Sequence, residues 1–185
     1  MEDTDIVDLY WQRSDQAVSE TERKYGRYCH RIAYNICASN EDAEECVNDT
    51  WLRAWNAMPT QRPSVLSGFL GAITRNLALD HYRSKHSRKR GGGEIPLALE
   101  ELGDCVSSPS DPVRALEARE LEQAIGRFVD SLPEPEQLIF LSRYWFLAPV
   151  AEIAARLGCT QGKVKTTLFR LREKLRLYLL EEDLC

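Results

Sequence analysis

The chain has 185 residues, of which 43% are hydrophobic and 29% charged, and its formal net charge is −5. This length suits one medium domain or two small ones, each with a modest core. No stretch approaches the roughly 18 consecutive apolar residues that cross a bilayer. The acidic start MEDTDIVDLYW lacks the basic and apolar parts of a signal peptide. We therefore expect a cytoplasmic protein that does not insert into membranes.

Sequence patterns typical of catalysis or metal binding are missing. The six cysteines are scattered without a CxxC pair, and Cys29, His30 and Cys37 do not have a zinc-ligand spacing. The sequence contains no glycine-rich phosphate loop, and its three histidines fit no Ser-His-Asp pattern. We predict cysteines that pack as small hydrophobic residues, no metal or other cofactor, and no enzymatic activity.

Helical periodicity runs through the first half of the chain, and no convincing strand pattern interrupts it. A short helix is predicted near residues 6–12, and a long one from Ser14 to about Ala38. The segment EDAEECVNDTWLRAWNAM, residues 41–58, opens with acids that favour a helix N-terminus and has an apolar stripe opposite a polar face. After a proline-bounded loop, a further helix runs into DHYRSKHSRKR and stops at Gly91.

The second half of the chain follows a segment, residues 91–112, that holds glycine, proline, serine and acids with little periodicity. Beyond it, VRALEARELEQAIGRFVDSL and EPEQLIFLSRYWF each predict a helix. We therefore predict an all-α fold with two small helical domains, residues 1–90 and 113–185, joined by a flexible linker over residues 91–112.

Charge of opposite sign is segregated along the chain. Residues 75–90 carry a net charge of +5 and residues 156–176 a net charge of +6, whereas residues 91–136 carry −8. Two basic segments in an acidic chain indicate two surfaces that face a polyanion, because the acidic parts would be repelled from the same partner.

The second basic segment has the pattern of a helix-turn-helix. A short helix over residues 149–157, with Leu157 on its inner side, ends at Gly158, a residue that tolerates positive φ. Thr160 can cap a second, basic helix. The positions that this helix would bury are Val164, Leu168, Leu171 and Leu175. Its exposed face would contact phosphates or base edges in a major groove. The alternative is a helical hairpin with a solvated basic face.

Three segments, in this order, resemble the sigma-70 family of bacterial RNA polymerase sigma factors, specifically its extracytoplasmic-function (ECF) group. DAEECVNDTWLRAWNAMP and GFLGAITRNLALDHYRSKHSRKR are similar to two successive helices of the family's region 2. EIAARLGCTQGKVKTTLFRLREKL is similar to region 4. The resemblance covers about residues 10–178 and implies a region 2 bundle joined to a region 4 helix-turn-helix.

The resemblance implies a promoter-specificity subunit that binds core RNA polymerase, through its clamp coiled coil and its flap, and promoter DNA. The residues implied in binding the clamp coiled coil are Glu45, Asn48, Asp49 and Arg53. Those implied in reading the −10 element are Arg62, Arg75, Asn76, Arg83, Arg88, Lys89 and Arg90. Those implied in reading the −35 element are Lys163, Lys165, Thr166, Phe169 and Arg170.

The resemblance has three further implications. Phe69 stands where many members have tryptophan, and we expect it to be a core residue. The linker would run through the RNA-exit path of the polymerase, where its acids would mimic RNA. These acids are Glu94, Glu100, Glu101 and Asp104. An anti-sigma factor bound across both domains is a further partner that the resemblance allows, and no residue of the chain decides for it.

The alternative function is a free-standing helix-turn-helix regulator that binds DNA without polymerase. Such a regulator would bind its promoter tightly as the isolated protein. A sigma factor would bind DNA weakly alone and would direct promoter-specific transcription once core polymerase is added. A purely structural helical adaptor would account for the first half of the chain but not for the basic segment at residues 156–176.

Overall fold

A computed structural model describes the backbone of residues 1–86, 98, 101 and 114–182, and the side chains of residues 1–85, 98, 101 and 120–182. The chain divides into two compact units, Met1–Gly91 and Gly92–Cys185. Every regular element within the described residues is helical, which confirms the all-α prediction. The predictions that fall outside the described residues concern Arg88, Lys89, Arg90, Glu94, Glu100 and Asp104.

The N-terminal unit contains four helices close to the predicted bounds. They are α1 (Asp3–Trp11), α2 (Gln16–Cys37), α3 (Asn40–Ala57) and α4 (Leu66–His86). Ala38 ends α2 in the left-handed conformation, with φ of 54°. The hydroxyl oxygen of Ser39 then accepts a hydrogen bond from the backbone N–H of Asp42 at 3.3 Å, so it caps α3.

The core of the N-terminal unit is apolar. Phe69 is half-buried and packs against this core, as expected.

Two buried hydroxyl contacts join the helices of this unit. The Tyr10 hydroxyl of α1 donates to the Thr21 hydroxyl of α2 at 3.0 Å. The hydroxyls of Thr50 in α3 and Thr74 in α4 lie 3.0 Å apart. Because a buried hydroxyl without a partner is destabilising, these pairs favour one packing of the four helices.

The C-terminal unit contains α5 (Arg114–Ser131), α6 (Glu134–Phe140), α7 (Val150–Arg156) and α8 (Gln161–Glu181). The sequence predicted that the second of these would continue to residue 146. Instead, a single turn of π-helix, Leu141–Trp145, follows α6, and the N–H of Phe146 donates to the carbonyl of Leu141 at 3.0 Å. Arg143 and Tyr144, both in this π turn, are buried.

The predicted helix-turn-helix is formed by α7 and α8. Gly158 lies between them with φ of 60°, and the Thr160 hydroxyl oxygen accepts from the N–H of Lys163 at 3.2 Å. The four predicted inward positions of α8 are all buried: Val164, Leu168, Leu171 and Leu175. Leu157, predicted to face inward, is instead 39% exposed; it is the C-cap residue that follows the last residue of α7. None of the described helices is long and apolar enough to cross a membrane.

Candidate functional site

The N-terminal half of α8 exposes a basic surface. Every residue predicted to contact the −35 element is exposed there: Lys163, Lys165, Thr166, Phe169 and Arg170. Their side chains are free to project because the buried positions of α8 follow the opposite stripe of the helix. Phe169 is 58% exposed, so its ring is accessible on this basic surface.

Ion pairing divides the cations of α8 into two groups. Lys174 pairs with Glu136 at 3.2 Å, and Arg176 pairs with Glu173 at 3.6 Å. Among the residues that the structure describes, no carboxylate lies within 4 Å of Lys163, Lys165 or Arg170. Positive charge without a protein counter-ion is therefore concentrated at the N-terminal half of α8, the part that enters a major groove in helix-turn-helix proteins.

A pocket of about 420 Å³ lies beside this surface, between α7 and α8. Its lining includes Lys165 and Phe169 from the predicted DNA surface, Arg172 from the next turn of α8, and Glu101 from the predicted linker. The role assigned to Glu101 by sequence was RNA mimicry, but its carboxylate faces Arg143 at 3.4 Å and Arg172 at 3.6 Å within its own unit. Neither Glu101 nor the pocket was singled out from the sequence as part of the DNA surface.

The helix α4 holds three of the residues predicted to contact the −10 element. Arg75 is half-buried, whereas Asn76 and Arg83 are exposed. Burial lowers the pKa of Arg75, and the positive charge of Arg83 lowers it further. Arg83 also lies 3.5 Å from Asp80, an exposed contact between residues three apart in the same helix.

The loop between α3 and α4 carries Arg62, and α1 holds this side chain. Its guanidinium forms an ion pair with Asp8 and lies over the Trp11 ring, 5.4 Å from the ring centre. Most of the loop is exposed: Thr60, Gln61, Arg62, Ser64 and Val65. Arg62 would have to give up its contact with Asp8 to bind phosphate, so the structure adds a competing partner that the sequence pattern did not indicate.

The polar face of α3 brings together every residue predicted to contact the polymerase. Glu45, Asn48, Asp49 and Arg53 are all exposed on one side of the helix. Leu52 lies among them, one turn after Asn48, and is 61% exposed. Leu52 was not predicted from the sequence, because it adjoins the apolar stripe that includes Trp51. The only signal in the sequence was its four-residue spacing from Asn48.

The described residues include one group that could hold a cation. Ligand atoms of Asp42, Glu45 and His81 lie within 4.8 Å of one another. However, Lys85 Nζ lies 2.6 Å from both carboxylate oxygens of Asp42. This contact lowers the pKa of Asp42 and raises that of Lys85. The chain thus supplies its own cation here, and the contact joins the beginning of α3 to the end of α4.

Four cysteines within the described ranges carry free thiols: Cys29, Cys37, Cys46 and Cys159. Cys29 and Cys46 are buried, as expected for small hydrophobic residues. Burial raises the pKa of Cys29 to about 11 and, with the nearby Cys46, raises that of Cys37 to about 12. Since the thiolate is the reactive form, these values indicate thiols of low reactivity at neutral pH.

Comparison with known families matches both units. The family model described as Sigma-70 region 2 matches residues 23–88, and the one described as Sigma-70, region 4 matches residues 122–175. Together the two matches cover well over half of the chain and follow the order of its two helical units. The chain therefore belongs to the sigma-70 family of RNA polymerase sigma factors.

Comparison with curated relatives narrows this to the ECF group. The chain is 28% identical to "ECF RNA polymerase sigma factor SigE" of Mycolicibacterium smegmatis over 86% of its own length and 60% of that protein. It is 30% identical to "Probable RNA polymerase sigma factor RfaY" of Xanthomonas campestris pv. campestris over 81% of its length and 37% of that protein. It is 26% identical to "ECF RNA polymerase sigma-E factor" of Escherichia coli K12 over 80% of its length and 81% of that protein. The chain thus spans less than two thirds of the first two relatives.

Proposed function

We propose that this protein binds bacterial core RNA polymerase and directs promoter-specific initiation of transcription in the cytoplasm. Its N-terminal unit would bind the clamp coiled coil and read the −10 element, and its C-terminal unit would bind the flap and read the −35 element. One observation carries the proposal: both family regions occur in the family's order, and in each an exposed polar face lies on a helix to which the resemblance assigns a contact. The relatives described above, all named as RNA polymerase sigma factors, add support.

The polymerase contact is proposed for α3. An interface needs an apolar centre with a polar rim, and Leu52 surrounded by Asn48, Asp49 and Arg53 has that composition. The charges of Asp49 and Arg53 would then orient the two proteins, while Leu52 would supply most of the apolar contact. Glu45 extends the same face toward the beginning of the helix.

The −10 contact is proposed for α4 and the loop before it. Arg75, Asn76 and Arg83 would follow the phosphate backbone, with Arg88, Lys89 and Arg90 continuing the basic segment. The exposed loop at residues 60–65 would receive an unstacked base. Capture of single-stranded DNA in this way offsets the cost of unpairing, which is a few kcal/mol per base, so the duplex can open without ATP.

The −35 contact is proposed for α8. Lys165, Thr166 and Arg170 would meet base edges in the major groove, where arginine and lysine bind guanine and threonine suits several bases. Lys163, near the beginning of the helix, would bind phosphate. The exposed ring of Phe169 would make apolar contact with a thymine methyl group or a deoxyribose.

Transcription from a DNA pool with a randomised upstream region would test the proposal without knowledge of the natural promoters. Core polymerase alone and core polymerase with the full chain would be compared by sequencing the transcripts and their templates. We expect the chain to enrich templates with two sequence elements. Asn48→Ala should reduce all transcripts, because it weakens polymerase binding. Arg170→Ala should relax the upstream element only.

Arg176→Ala is the matched control for Arg170→Ala. Arg176 is exposed on the same helix, but it pairs with Glu173, so its loss should leave the upstream element unchanged. If the wild-type chain enriches no template with any core polymerase tested, the proposal is wrong. Specific binding of the same pool by the chain alone, equally tight with and without polymerase, would favour the free-standing regulator instead.

A further inference from the structure

A glutamate of the predicted linker forms part of the C-terminal unit. The Glu101 carboxylate accepts hydrogen bonds from Arg143, with its two oxygens 3.4 Å from Nε and 3.5 Å from Nη2. The Arg143 side chain is fully buried, and its Nη1 donates to the carbonyl of Ala148 at 3.4 Å. Because a buried guanidinium needs a counter-ion, Glu101 is bound by the unit instead of being free in solvent.

The same carboxylate reaches the DNA-facing helix. The hydroxyl of Tyr144 donates to Glu101 at 3.3 Å and accepts from Arg172 Nη1 at 3.0 Å. Arg172 Nη1 also lies 3.6 Å from the Glu101 carboxylate. Two groups of the unit, the Tyr144 hydroxyl and the Glu101 carboxylate, therefore contact the Arg172 guanidinium, and the Arg172 side chain is only 22% exposed.

Arg172 also contacts the exposed aromatic ring of the proposed DNA surface. The guanidinium carbon lies over the ring of Phe169, 6.0 Å from the ring centre, within the range of a cation–π contact. Both residues line the pocket between α7 and α8, together with Glu101 and Lys165. A continuous series of contacts thus runs from Glu101 through Arg172 to Phe169.

We propose that Glu101 is a positioning residue for recognition of the −35 element, acting through Arg172 to hold the ring of Phe169 in the orientation that meets DNA. This inference rests on the proposed function and names a residue of the linker as part of its specificity. An exposed ring that rotates freely loses that freedom on binding, and a ring held beforehand does not incur this cost again. A side chain supported by a second layer of contacts is also placed more accurately against a base.

Two substitutions interrupt the series at different points. Glu101→Gln removes the charge that holds both arginines. Arg172→Lys keeps a positive charge for Glu101 but removes the planar guanidinium that lies over Phe169. The second variant leaves the contact between Glu101 and Arg143 in place, so it remains informative if the first variant destabilises the unit. Glu136→Gln, which removes the surface pair with Lys174, is the matched control.

Nuclear magnetic resonance of the full chain with ¹³C-labelled phenylalanine rings tests the contacts without DNA. Phe169→Leu would assign the Phe169 resonance. We expect Glu101→Gln and Arg172→Lys each to shift this resonance and increase the mobility of the ring, with no change in Glu136→Gln. The buried ring of Phe128 would report that the unit is folded. If neither substitution changes the chemical shift of the Phe169 resonance or the mobility of its ring in folded protein, the inference is overturned.

Selection by the complex of core polymerase and full chain, from DNA randomised over the −35 element, tests the effect on recognition. We expect each single variant to reduce, by about two- to tenfold, the preferences that Phe169→Ala also reduces, the loss expected when one side chain must be ordered on binding. The double variant of Glu101 and Arg172 should lose no more than either single variant. Additive losses, unchanged preferences or a sharper preference in Glu101→Gln would each overturn the inference.

The two experiments separate this inference from the proposed function. If the Phe169 resonance responds to both variants but the wild-type complex selects no DNA sequence, the sigma-factor function and the recognition role are both refuted. The contacts from Glu101 through Arg172 to Phe169 would still stand. Selection of a −35 sequence by the wild type that both variants retain unchanged would refute only the positioning role of Glu101.

Discussion

Leu52 is the residue for which the structure makes the sharpest prediction about polymerase binding. Leu52 is 61% exposed in the middle of the polar face of α3. Full burial of a leucine side chain contributes about 1.5–3 kcal/mol. Burial of the exposed part in an interface would therefore contribute about 1–2 kcal/mol. We expect Leu52→Ala to weaken binding to core polymerase by a factor of about 5 to 30.

The assay is a titration of core polymerase, without DNA, into the full chain carrying a fluorophore at its N-terminus. Because Leu52 is largely exposed, its substitution should change the free energy of unfolding by only about 0.5 kcal/mol. Val65→Ala is the matched control, since Val65 is also 61% exposed but lies in the loop proposed to bind DNA. It should leave the dissociation constant unchanged in the absence of DNA.

Unchanged polymerase affinity in Leu52→Ala would refute the assignment of an apolar contact at the centre of α3. Asn48→Ala in the same titration then shows whether the role of Leu52 or the role of α3 as a whole is wrongly assigned. If Asn48→Ala weakens binding and Leu52→Ala does not, the interface uses the polar face without its leucine. If neither does, α3 does not form the interface.

Three further predictions concern stability. Thr74→Val should destabilise the N-terminal unit by about 1–2 kcal/mol, whereas the double variant with Thr50→Val should cost less than the sum of the single changes, because both hydroxyls are then removed. Gly158→Ala should cost about 1–2 kcal/mol, because φ there is 60°, whereas Gly126→Ala inside α5 should stabilise by about 0.5–1 kcal/mol. Burial raises the pKa of Cys29 from 9.0 to about 11, so wild-type stability, relative to Cys29→Ala, should fall by about 2 kcal/mol between pH 9 and pH 11.

Chemical denaturation followed by circular dichroism measures all three. Strictly additive threonine variants would show that the two hydroxyls do not interact. Equal effects of the two glycine substitutions would contradict the left-handed conformation at Gly158, since neither added Cβ has a neighbour within 4 Å. For Cys29, the unfolded chain loses the thiol proton at lower pH than the folded protein does, so a difference that stays constant up to pH 11 would contradict its burial.

Local sequence was enough to predict most of the helix positions, the turn between α7 and α8, and the buried and exposed faces of α8. The left-handed glycine at position 158, the cap at Thr160 and the four buried positions of α8 were all predicted and are all observed. These features depend on hydrogen bonds and periodicity within a few residues, so local sequence contains the information needed to predict them. The family resemblance could likewise be recognised from the sequence, because each of its motifs is one continuous segment of the chain.

The packing of the helices, in contrast, determines which charged side chains are already paired within the protein. Lys85 contacts Asp42, Arg62 pairs with Asp8, and Glu101 meets Arg143 and Arg172, although each pair is separated by about 40 residues or more. A charged residue in a sequence shows no sign of which distant residue will lie against it, since that depends on how the helices pack. The exposure of Leu52 and the π turn that buries Arg143 have the same origin, because packing, not periodicity, determines both.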